Sequence, residues 1–110
     1  MRLNAKQTVY DQFIDRSGTV ATGGASQLLA PKNPDRCYFF FQNISGGDLW
    51  INHTSNAQVG VAGSIKVSPG VVYAMEGSYV VAEPWYVIGA QSGQAFTCKE
   101  NNPSYGNVQL

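Results

Sequence analysis

Few residues in this chain could do chemistry. One histidine, His53, two cysteines, Cys37 and Cys98, and seven acidic side chains are the main candidates for acid, base, nucleophile or metal ligand. A metal site needs several His, Cys or carboxylate ligands together, and His53 stands alone at the end of the stretch LWINH. Asp48 is near it in sequence, but an odd separation puts the two on opposite faces of one strand. The cysteines lie far apart with no C-x-x-C spacing, which argues against zinc and against a thioredoxin-like redox motif. No G-x-S-x-G occurs, and no Gly-rich turn opens a helix to cradle a phosphate. A carboxylate pair for glycoside hydrolysis could be assembled from distant residues, but most of the seven acids sit beside turns. The expectation is a protein that is not an enzyme, with no catalytic residue, no metal and no cofactor.

The aromatic residues are more informative. In RCYFFFQN, residues 36–43, four aromatics run in succession. On a strand, Cys37, Phe39 and Phe41 face one way and Tyr38, Phe40 and Gln42 the other. The same two-faced pattern recurs in WYVIGA, with Trp85 and Val87 opposed to Tyr86 and Ile88, and in VVYAM. A sheet with one wet face should alternate apolar and polar residues. Here the outer faces need a cover: the N-terminal arm, a second subunit, or both. Tyr38 and Phe40, extended by Tyr86 and Ile88, form the candidate interface. Trp50, Trp85, Tyr86 and Tyr79 admit a second reading as a sugar-stacking platform, but their place inside strands favours packing.

Short strands and frequent turns must position these residues. SGGD joins the FFF strand to LWIN, and Pro69-Gly70 suits the centre of a type II turn. SIKVS, VVYAM, YVVA, WYVIGA and QAFTCKE supply further strands, and SQLLA a short edge strand. The expected fold is all-β, an antiparallel β-sandwich or barrel, jelly-roll-like, with an extended N-terminal arm. Phe39, Phe41, Trp50 or Ile51, Ile65, Val67, Val87 and Phe96 are the candidate core. Residues 1–32 form the arm, extended or partly helical over 5–16 and lying on a partner; residues 33–100 form the sandwich; residues 101–110 form a polar tail.

With 110 residues the chain makes one domain. Charged residues are only 13%, about half the usual share, which suggests a surface partly covered by something else. Seven basic and seven acidic residues cancel, and no basic run follows a phosphate backbone, so no nucleic-acid partner is expected. No apolar stretch is long enough to cross a membrane. The N-terminal residues lack the apolar core of a secretory signal, so folding in a cytoplasm and free thiols at Cys37 and Cys98 are expected.

The frame NPDRCYFFFQNISGGDLWIN, then GSIKVSPG, then YVIGAQSGQAFTCKE resembles small virion proteins of tailed bacteriophages. The resemblance covers roughly Asn33 to Glu100. It implies a capsid decoration or cement protein, or a minor head or tail component, located in the virion. It also implies a major capsid protein or other virion protein as partner, and a homo-oligomer, with a trimer favoured. The alternative is a carbohydrate-binding or receptor-contacting module of a phage tail or fibre.

Overall fold

The computed structural model describes the backbone of residues 9–77 and 80–104 and the side chains of 13–77 and 80–101. Among the described residues nine strands follow one another: β1 (Val9–Asp15), β2 (Gly18–Thr19), β3 (Gln27–Ala30), β4 (Tyr38–Asn43), β5 (Leu49–Asn52), β6 (Ile65–Val67), β7 (Val72–Glu76), β8 (Trp85–Gly89) and β9 (Ala95–Ser104). They form two antiparallel sheets. Sheet A runs β1-β9-β4-β7, with β2 also on β9, and sheet B runs β3-β8-β5-β6. Consecutive strands alternate between the sheets along much of the chain, which is the jelly-roll form of a β-sandwich.

The alternation read from the sequence places the core. In β4, Phe39, Phe41 and Asn43 are buried, and Tyr38, Phe40 and Gln42 only half so. Phe39 and Phe41 meet Leu49, Ile51, Trp85, Val87, Val67, Phe96 and Cys98 between the sheets. Phe39 stacks on Trp85 with centroids 4.6 Å apart. Of the paired candidates, Ile51 is core and Trp50 is half-buried; Ile65 packs at the core's margin. The Pro69-Gly70 turn forms as expected: Gly70 has φ +81°, and the Val71 N–H bonds the Ser68 carbonyl at 2.9 Å.

Residues 9–30 depart from the sequence reading, and residues 1–8 of the expected arm lie outside the described residues. Residues 9–15 are strand and not helix, because β1 pairs with β9. β2 continues along β9, and β3 pairs with β8. These residues of the expected arm belong to the chain's own sheets. Only a short ribbon, where Val9 and Gln12 pair with Ser104 and Asn102, runs past the start of β4. YVVA does not form a strand over 80–82.

A buried ion pair ties the segments together. Glu100, fully buried, accepts from Arg36 Nε and Arg16 Nε at 2.7 Å each and from Asn33 Nδ2 at 3.0 Å. Arg36 also donates from Nη1 to the carbonyls of Val81 and Glu83 and from Nη2 to that of Pro31. Burial alone would push the Glu100 carboxyl up, but the bonds from Arg36, Asn33 and Arg16 outweigh it and hold it below its ordinary value.

Candidate interface

The register of sheet A defines its outer face, because directly opposed residues share a face. One row crosses the sheet as Phe13, Asn101, Tyr38 and Glu76; the next as Asp15, Lys99, Phe40 and Ala74; the third as Thr97, Gln42 and Val72. Phe13 is 57% exposed and Val72 46%. The Phe13 and Tyr38 rings meet edge to face at 6.0 Å. Asn101, between them in the register, is buried with no partner for its Nδ2. The charges on this face sit toward its margins or beside one another. Hydrogen bonds from the Ser17 hydroxyl and backbone N–H lower the Asp15 carboxyl, with Lys99 adding to the effect.

Tyr38 and Phe40 therefore stand where alternation put them, on an outer face. Tyr86 and Ile88 do not join them: they lie on sheet B, paired with Asn52 and Trp50. That second face is covered in part by the chain itself, with Leu28 left 54% exposed at its edge. The β5–β6 loop turns back after Asn52, and the N–H of the buried Ala57 donates to Ser26 Oγ at 3.0 Å, beside edge strand β3. The loop thus crosses the outside of sheet B, and Ile88 is buried. Sheet A has no such cover among the described residues.

The remaining candidates disperse. Trp85 is fully buried, and Tyr79 lies outside the described residues. Trp50 lines a cleft of about 700 Å³ between the β4–β5 and β8–β9 turns, whose lining carries no second aromatic ring. Among the described residues no sugar-stacking platform is assembled. His53 tilts against Trp85 at 4.7 Å, and its Nδ1 is buried without a protein partner. Among the described residues no three His, Cys, Asp or Glu side chains converge as for a metal.

Cys37, just before β4, and Cys98, on the adjacent β9, are free thiols but not neighbours. Cys98 pairs with Phe41, while the Cys37 thiol donates to Asn101, further along β9. Burial, foremost, pushes the Cys98 thiol up to about 12, and burial also raises Cys37. Since the thiolate is the reactive form, Ellman's reagent on native protein should find Cys98 silent and Cys37 slow. Both should titrate after unfolding in guanidinium chloride. Two thiols reacting in the native state would contradict this placement.

No protein-family model matches the chain, and no curated protein sequence matches it. By fold, the chain resembles a solved structure described under Bacillus endospore appendages, which form a family of disulfide-linked pili. The TM-score is 0.56 at 17% identity, over 94% of this chain and 96% of that one. This match overturns the phage reading. The neighbour comes from a bacterial appendage, so the decoration or cement role, the tail-fibre alternative, the virion location and the capsid partner are withdrawn. The trimer rested on that resemblance and goes with it. At this identity the likeness establishes the jelly-roll fold of the chain and nothing more.

Proposed function

We propose that the protein is a non-enzymatic structural subunit of a bacterial surface appendage that associates with copies of itself through the outer face of sheet A. The observation that carries this is the apolar surface of the exposed Phe13 and Val72 and the half-buried Tyr38 and Phe40, which no loop crosses among the described residues, whereas the β5–β6 loop crosses part of the second face. Exposed apolar patches mark contact sites, and a self-complementary patch closes about a twofold axis. The fold likeness to a pilus protein supports the choice of a second copy as occupant, by analogy of fold alone.

The proposed association is non-covalent. A disulfide-linked polymer needs two linkable thiols per subunit. This chain has two cysteines, and Cys98 is sealed in the core. Cys37 alone could join copies only in pairs.

Phe40→Asp tests the reading. It would set a charge at the middle of the face, where desolvation opposes contact. Wild-type protein should gain mass with concentration in analytical ultracentrifugation. The variant should keep its β circular dichroism and lose the larger species. A wild-type chain monomeric at all concentrations, or a variant assembling normally, would overturn the proposal.

A further inference from the structure

A sheet edge left unpaired is a template for another strand, and proteins usually blunt such edges. Three of the four edges here are blunted. β1 shifts register between Val9 and Gln12. β3 shifts between Leu28 and Ala30 and ends at Pro31. β6 has three residues, with the exposed Lys66 at its centre. β7 differs: five residues pair with β4 without a shift, and it contains neither Pro nor Lys.

The bonding pattern shows what β7 offers. The Asn43 N–H bonds the Val71 carbonyl at 3.2 Å, and the Gly77 N–H bonds the Cys37 carbonyl at 3.0 Å. Bonded and non-bonded pairs alternate in an antiparallel ladder. Tyr73 and Met75 therefore direct their backbone groups at Phe41 and Phe39 of β4. The N–H and C=O of Val72, Ala74 and Glu76 point the other way. Among the described residues, no backbone bond reaches them there.

We propose that β7 is a second self-association site, at which it pairs antiparallel with β7 of another copy about a twofold axis at Ala74. The register follows from chemistry. Ala74 would face Ala74 of the second copy, and Val72 would face Glu76, so all three outward-bonding residues exchange bonds in pairs. A parallel, in-register pairing would set Glu76 beside Glu76, and like charges directly opposed are destabilising. In the antiparallel register Tyr73 lies opposite Met75 on the core side, a favourable sulfur–aromatic pairing, and both are only half-buried in the single chain. On the outer side, the face carrying Phe40 and Val72 becomes continuous across two copies. This inference rests on the self-association reading and gives it a second contact. Two different twofold contacts on one subunit generate an open chain of copies.

Ala74→Pro is the decisive variant. Proline removes an N–H that bonds nothing among the described residues, and edge strands tolerate it where the N–H faces outward. The variant should melt within a few degrees of wild type, and its association should stop at pairs joined by the face. Phe40→Asp should stop at pairs joined by β7, and the double variant should be monomeric. Amide hydrogen exchange on wild type gives an independent reading should Ala74→Pro fail to fold. The Ala74 amide should slow at least tenfold as concentration rises, while that of Tyr73 stays protected throughout. An associating wild type whose Ala74 amide exchanges at one rate at every concentration would overturn the edge contact. So would an Ala74→Pro chain that folds and assembles as wild type does. Either result leaves the face contact to stand or fall with Phe40→Asp.

Discussion

Replacing Glu100 by Gln is expected to destabilise the protein by about 3–5 kcal/mol, because it leaves a buried charge uncompensated. The side chains of both Arg36 and Glu100 are 0% exposed. Gln keeps the shape and one acceptor, but the Arg36 guanidinium would lose its counter-charge and retain only the carbonyls of Pro31, Val81 and Glu83. Total stability for a domain of this kind is about 5–15 kcal/mol, so the loss would be readily measured. The same substitution should alter the response to acid. The Glu100 carboxyl is lowered in the folded state. Its contribution is therefore fully present above its unfolded value, ordinarily about 4.3, and is lost as pH falls through the lower folded value. Urea denaturation at neutral and acid pH should show wild-type stability dropping and the Gln variant changing much less over that interval. A variant as stable as wild type at neutral pH, or one with an undiminished acid slope, would mean that Glu100 is not the keystone.

Phe39→Ala is expected to remove a further large share of stability, about 3–5 kcal/mol, as for other large aromatics cut from a closed core. Its ring is fully buried and lies against Trp85 at an interplanar angle of 10°. Above it stands the Arg36 guanidinium, 5.7 Å from the ring centroid. Near-UV circular dichroism should lose Trp85 signal as the indole loses its stacking partner. Because Phe39 and Glu100 both touch Arg36, the double variant should depart from additivity. Additivity within experimental error would indicate that the aromatic core and the ion pair act separately.

Much of the fold was legible in residues 36–43. Strict alternation there predicted which rings enter the core, and the burial of Phe39 and Phe41 follows it. The Pro69-Gly70 turn was legible because its chemistry is local. Other features depend on partners distant in sequence. Val9, Phe13 and Ile14 have a spacing compatible with a helical turn, and only pairing with β9 makes the segment a strand. The Glu100 cluster joins residues from four segments, and nothing local marks Glu100 as buried. Alternation placed Tyr86 and Ile88 outward correctly but could not say on which sheet. The motif frame that suggested a phage protein consisted of turns and strands. Such pieces serve any jelly roll, so they pointed to architecture and carried no family information.

The position of β9 has a consequence for how the chain is made. β9 is the last strand among the described residues, yet it lies inside sheet A, between β1 and β4. A growing chain that has produced residues 9–94 holds β1 and β4 with a strand-wide gap between them. Arg36 then waits without Glu100, and Phe41 without the Cys98 and Phe96 side of the core. Closure must be a late, long-range event, and such topologies fold slowly. Until β9 inserts, the gap offers two open edges to any strand nearby, including β9 of another nascent chain. Ribosomes translating one message hold such chains side by side. For this molecule, order of synthesis therefore leaves β9 to join sheet A after the strands on either side of it have been made.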